Sequence, residues 1–103
     1  MCYTTFFNRA LSIVSEITEI QKDIILSESR EQEIVDARCL LIYALYKTYS
    51  ISFKLIGRLV NRSAENVSYH IRNFESRKSQ CNMLNIQYEI TIKKLQDNNS
   101  LTT

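Results

Sequence analysis

Apolar residues recur at intervals of three and four from the start of the chain, through Phe6, Phe7, Ala10, Leu11, Val14 and Ile17. That spacing puts them on one side of a helix and predicts a first amphipathic helix over roughly residues 4–19. The apolar triplet Ile24, Ile25, Leu26 follows, and then Ser29 with Gln32 three positions on. A serine and a glutamine at this spacing form a capping-box signature, which predicts that a second helix starts near Arg30. Along it Ile34, Ala37, Leu41 and Leu45 repeat at three and four, while Val35, Ile42 and Tyr46 widen the apolar stripe beyond that of a surface helix. This is the expected central core helix. Arg38 interrupts the stripe one turn from both Ile34 and Leu41, where a charge is expensive unless it is paired or reaches the edge. It is expected either in a salt bridge to a local carboxylate such as Asp36 or held rigidly for a phosphate.

Ser52 can cap a short helix whose inner face is Phe53, Ile56, Leu59 and Val60, and Asn61 tolerates the left-handed conformation preferred at a tight helix end. Ser63 can cap the next helix, with Val67, Ile71 and Phe74 inside. Two short helices joined by such a turn predict a helix-turn-helix. Its second helix shows Ala64, Glu65, Ser68, Tyr69 and Arg72 outward, side chains suited to base edges and phosphates when a helix enters the major groove.

From Glu75 to Gln80 the chain is polar enough for a helix extension or a hinge. Beyond it Leu84, Tyr88, Thr91 and Leu95 repeat at helical spacing, but Leu84, Ile86, Tyr88, Ile90 and Ile92 also alternate as in a strand. A helix is expected, because nothing else in the sequence offers a strand partner and a lone strand is marginal. Its apolar face, with Cys81, Leu84, Tyr88 and Leu95, either folds back on the first helix or pairs with a second copy through residues 81–95. Residues 98–103 are expected to fray. The fold class is thus all-α: a helix-turn-helix domain over residues 1–78 with a C-terminal helical extension over 79–103.

Composition narrows the function. With 103 residues, 45% apolar, the chain suits one small core, and one glycine with no proline argues against hairpins and tight turns. The longest apolar run, from Cys39 to Tyr46, falls far short of the roughly 20 residues that span a bilayer. Asn8 and Arg9 break any apolar leader at Phe6 and Phe7. A cytoplasmic protein without a membrane partner is expected. Cys2, Cys39 and Cys81 are too far apart for paired-cysteine metal or redox motifs and are read as inert thiols. His70 is the sole imidazole, and Gly57, the sole glycine, sits inside an apolar-periodic segment, so a histidine metal cluster, a serine triad and a phosphate loop are all disfavoured. No enzyme, cofactor, metal or small-molecule substrate is expected.

Charge is unevenly distributed. Residues 1–36 carry three basic and seven acidic groups, whereas residues 54–78 carry six basic groups (Lys54, Arg58, Arg62, Arg72, Arg77, Lys78) against Glu65 and Glu75. The positive charge coincides with the helix-turn-helix, as an electrostatic footprint for a polyanion would.

The order Ile24-Ile25-Leu26-Ser27, Arg30, Ile34-Val35-Asp36-Ala37-Arg38, Ile56-Gly57, Arg62, Val67, Arg72 and Phe74 resembles the DNA-binding C-terminal domain of the bacterial replication initiator DnaA and its small stand-alone relatives, from about Leu11 to Phe74. The resemblance implies that Arg30 reaches into the minor groove and that Arg38 contacts the DNA backbone. The family's recognition helix opens with an Arg-Asp-His-Thr-Thr-Val type sequence, where this chain reads Arg62-Ser63-Ala64-Glu65-Asn66-Val67. The family's base readers are therefore replaced, and initiator-box specificity does not carry over. Glu65 can accept a bond from cytosine N4, and Asn66 can pair with adenine if it faces the groove. The family's ATPase domain is absent from these residues.

The expectation is a non-catalytic regulator or accessory protein that binds double-stranded DNA, sequence-specifically or generally. Its candidate contacts are Arg30, Arg38, Lys54, Arg62, Ser63, Ala64, Glu65, Asn66, Tyr69 and Arg72. The alternative is a protein-interaction module that kept the fold and lost base reading.

Overall fold

The computed structural model describes the backbone of residues 3–101 and the side chains of residues 3–96. Its first helix, α1, spans Tyr3–Thr18 and buries Phe7, Ala10, Leu11, Ile13 and Val14. After it comes a single turn of helix, α2 (Lys22–Ile25), which buries Ile25. The central helix α3 spans Gln32–Tyr49, α4 spans Phe53–Val60, α5 spans Ala64–Gln80 and α6 spans Asn82–Leu101. No strand occurs among the described residues, so the fold is all-α.

The start of α3 differs from the capping-box expectation. Its N-cap is Glu31, which makes no side-chain cap. The Ser29 hydroxyl accepts instead from the Glu31 N–H (3.3 Å), and Gln32 Nε2 points down the helix to donate to Asp36 Oδ1 (2.9 Å). A serine hydroxyl engaged two residues ahead closes a turn and leaves the helix to begin after it.

All nine residues from Ala37 to Leu45 are buried. The cause is that α1, α2, α4, α5 and α6 all pack against α3, so no side of its middle faces water. Three of the helices are followed by a left-handed residue that is not glycine: Glu19, Ser50 and Asn61, with φ of 60°, 54° and 60°. For residues with a Cβ this costs about 1–2 kcal/mol each, least for Asn. The single glycine is needed elsewhere.

The chain from Glu75 to Gln80 continues α5, so the segment is an extension and not a hinge, and the 78/79 boundary falls inside that helix. Only Cys81 separates α5 from α6. The ambiguous segment is helical, and it folds back on α1, α3 and α5. Leu84, Thr91 and Leu95 are buried there, the Thr91 hydroxyl donating to the Gln87 carbonyl at 2.7 Å. Tyr88 joins the rings of Tyr43 and Phe74, with centroids 5.2 and 5.9 Å away, which ties α6 to α3 and α5. The helical backbone continues to Leu101, through residues where fraying was expected; residues 102 and 103 lie outside the described ones.

Candidate nucleic-acid interface

The unit α4-turn-α5 is built by local rules. Ser52 Oγ accepts from the Leu55 N–H (3.3 Å) and Ser63 Oγ from the Asn66 N–H (3.1 Å), so both helices carry the expected serine caps. Asn61 closes α4 in the left-handed region (φ 60°, ψ 51°), and the Arg62 N–H returns to the Gly57 carbonyl at 2.7 Å. That return brings the turn so near α4 that a Cβ on residue 57 would press into the Arg62 carbonyl oxygen. Glycine is therefore required by a close approach and not by a left-handed φ.

On α5 the side chains of Val67, His70, Ile71 and Phe74 are buried, while Ala64, Glu65, Tyr69 and Arg72 are exposed and Ser68 is half-buried. Tyr69 is 58% exposed, unusual for a tyrosine that has no role at the surface. Lys54, Gly57, Arg58, Asn61, Arg62, Ser63 and Ala64 line an open groove of ≈ 480 Å³ at the α5 N-terminus. Three cations thus line it where the helix dipole is itself positive, and of these Lys54 and Arg58 are exposed. Arg58 was counted in the basic segment but not among the candidate contacts, although its spacing of four from Lys54 places both on one face. Arg30 stands exposed in the loop before α3. Among the described residues Arg30, Lys54, Arg58 and Arg72 enter no ion pair.

Asn66 lies elsewhere. It is half-buried, its side-chain carbonyl has no bonding partner, and it lines a recess of ≈ 330 Å³ with Leu26, Glu28, Asn61, Arg62 and Ser63, towards the loop that carries Arg30. Arg62 is half-buried too, donating from Nη1 to the Val60 carbonyl (3.0 Å) and from Nη2 to that of Ser27 (2.9 Å).

Arg38 corrects both expectations held for it. Asp36 is paired with Arg77 (2.7 Å), not with Arg38. Nor does Arg38 present a surface for a phosphate: it is 4% exposed and donates to the carbonyls of Ile25 (2.9 Å), Ser27 (2.6 Å) and Ser29 (3.2 Å). Burial, and then the neighbouring Arg62 charge, lower its pKa from the ordinary guanidinium value. His70 sits beside this pair, 7% exposed, its Nδ1–H donating to the Asn66 carbonyl at 2.9 Å. Burial above all, aided by the Arg38 and Arg62 charges, lowers its pKa, so the ring is neutral near pH 7. The Cys39 thiol is pushed up to about 11 by burial, which makes it a poor nucleophile. Among the described residues no cluster of metal-ligating side chains occurs, and no helix is long and apolar enough to cross a membrane. Cys2 lies outside the described residues.

The family model for the bacterial DnaA protein helix-turn-helix matches residues 8–73, well over half of the chain. The chain belongs to this DnaA family. No curated protein matches it. The match runs from α1 into α5 and leaves the end of α5 and α6 outside it, although α6 shares one hydrophobic core with the matched helices. The DnaA helix-turn-helix is a DNA-binding domain and not a catalytic one, which places the chain among DNA-binding, all-α proteins.

Proposed function

We propose that this DnaA-type domain binds double-stranded DNA as a non-catalytic regulator or accessory protein, with the first turns of α5 in the major groove. The observation that carries the reading is the groove at the α5 N-terminus, where Lys54 and Arg58 stand exposed, with no ion pair among the described residues, beside an exposed polar helix face. Lys54, Arg58 and Arg72 anchor phosphates. Ala64, Glu65 and Tyr69 reach base edges: the Ala64 methyl and the Tyr69 ring suit apolar contact with a thymine methyl, and Glu65 accepts from cytosine N4. Arg30 enters the adjacent minor groove, as the family resemblance implies. Asn66 faces the loop recess and has no part in base reading here. A cytoplasmic location belongs to the same proposal.

Titration of a fluorescent mixed-sequence duplex at several salt concentrations tests it. Three or four phosphate contacts give a log–log slope of roughly −3, at about −0.9 per contact. A slope near zero, or no binding at low salt, rejects the proposal.

The protein-contact reading keeps one observation in its favour. Most of the apolar groups first counted for a partner (Leu84, Leu95 and, in part, Cys81 and Tyr88) are spent within the chain, but Met83, Ile86 and Ile90 remain exposed on the outer side of α6. Pairing of two copies through that stripe would make particle mass rise with concentration in light scattering and fall to the monomer value in Ile86→Lys. A mass that never departs from 12.1 kDa removes it.

A further inference from the structure

The loop over residues 26–31 carries Arg30 and is gripped from behind by two arginines of different elements. Arg38 reaches from α3 to the carbonyls of Ile25, Ser27 and Ser29, and Arg62 reaches from the α4–α5 turn to that of Ser27. The Ser27 carbonyl accepts from both guanidinium groups, which uses its two lone pairs. The loop is braced from within as well, since Ser27 Oγ donates to the Ile24 carbonyl (2.6 Å) and accepts from the Ser29 N–H (3.3 Å).

The arrangement is electrostatically expensive. Two like charges meet on one acceptor, one of them buried, and among the described residues neither has a carboxylate within ion-pair distance. An apolar side chain would fill the Arg38 position at lower cost, because a buried charge loses hydration that carbonyl dipoles replace only in part. What the arginines supply that an apolar group cannot is a fixed distance between the loop backbone and the turn that opens α5.

We propose that Arg38 and Arg62 are positioning residues that lock the Arg30 loop at a set offset from α5, so that the minor-groove and major-groove contacts act on DNA as one unit of fixed spacing. The inference rests on the DNA-binding reading above. A loop ordered before binding incurs no ordering cost on the duplex, so Arg30 contributes its full contact only while the clasp holds. Neither arginine has to touch DNA. Their charges, unneutralised within the protein, still add positive potential behind the binding face.

The clasp is tested by a double-mutant cycle of Arg30→Ala and Arg62→Ala against the mixed-sequence duplex, on the full chain. Arg30→Ala is expected to weaken binding roughly tenfold in the natural background and scarcely at all once Arg62 is replaced. Equal losses in the two backgrounds overturn the proposal. A fall of about one in the salt slope on Arg62→Ala, whether or not Arg30 is present, also overturns it, since that is the signature of a direct phosphate anchor. Arg62→Lys keeps the charge but lacks the planar fork, and it is expected to behave like Arg62→Ala; wild-type behaviour counts against the clasp. Amide exchange gives a readout independent of DNA: in Arg62→Ala, protection is lost over residues 26–31 and kept through α5. Unchanged loop protection overturns the proposal. If even the natural chain binds no duplex, the DNA-binding reading fails, and exchange alone then decides whether the arginines hold the loop.

Discussion

The cations at the two ends of α5 lead different lives. Near its N-terminus Lys54 and Arg58 line an open groove without ion-pair partners, and Arg72 is exposed two turns further on. At its C-terminal end Arg77 is held by Asp36 at 2.7 Å, and Lys78 lies over the Tyr88 ring, 4.9 Å from its centroid. Asp36 near the α3 N-terminus therefore neutralises Arg77 at the back, while among the described residues the cations at the front enter no ion pair. A charge tally along residues 54–78 overstates the footprint by Arg77, whose charge Asp36 neutralises; Arg62 and Lys78 are held by carbonyls and by the Tyr88 ring, which fix the side chains without neutralising them. What a polyanion meets is the net charge left near the groove.

The widest separation between stability and binding comes from the core that α6 completes. Leu95→Ala removes a fully buried side chain where α6 meets the bundle, and a loss of about 2–5 kcal/mol is expected in denaturant unfolding. Duplex affinity of the remaining folded protein should stay unchanged; a parallel loss of affinity would mean that α6 shapes the reading face and would break the contrast. Next in size is Gly57→Ala. Alanine usually stabilises a helix interior by about 1 kcal/mol over glycine, but here its methyl meets the Arg62 backbone, which cannot swing aside as a side chain would. The overpacking cost of about 1–3 kcal/mol wins, and the turn shifts, so stability and duplex binding fall together. A stabilised variant with full affinity would show the approach to be looser than described.

The contrast between the ends is sharpened most directly by Arg58→Ala and Arg77→Ala. Arg58→Ala should lower the salt slope by about one and weaken binding at low salt several-fold. Arg77→Ala should leave the slope alone and cost less than about 1 kcal/mol, as partly exposed ion pairs do. Equal slopes for both variants would erase the distinction.

The smallest effect concerns pH. The folded-state pKa of His70 is lowered from 6.5, so below pH 6.5 the unfolded chain binds a proton that the folded chain refuses. Its contribution to stability is complete above that pH and is lost as the pH falls through this range. The charge it would gain faces Arg38 of α3 and Arg62 of the turn. His70→Gln is expected to flatten the pH dependence of the melting temperature between pH 6.5 and the lowered value, and an unchanged curve would exclude His70 as its source.

Much was legible in the sequence wherever a structural choice depends on neighbours a few residues apart. The Ser52 and Ser63 caps, the left-handed Asn61, the inner face Val67, Ile71 and Phe74 and the exposed Ala64, Glu65, Tyr69 and Arg72 follow from side-chain hydrogen bonds and helical period alone. The capping box at Ser29 misled because the same hydroxyl can serve a turn as readily as a helix start, and the loop around it is shaped by residues far away in sequence. Asn66 is a related case: helical period puts it between two faces, and only the position of the 26–31 loop makes it half-buried beside the recess.

By itself, then, the sequence determined the five longer helices, the Ser52 and Ser63 caps, the turn between α4 and α5 and the family to which they belong, but not the single turn of α2 or the start of α3. Tertiary structure alone decided three things. It turned Arg38 and Arg62 inward, since carbonyls of a loop 9 to 35 residues away offered better acceptors than water at a crowded junction. It sorted the basic residues into engaged and unengaged sets, because a charge is neutralised by what lies near it in space. And it gave α6 to the core of its own chain, where Leu84, Thr91 and Leu95 found the open sides of α1, α3 and α5. Helical period is a local property that the chain carries with it, whereas the partner of an apolar face or a charge is set by packing between elements that meet only when the chain is folded.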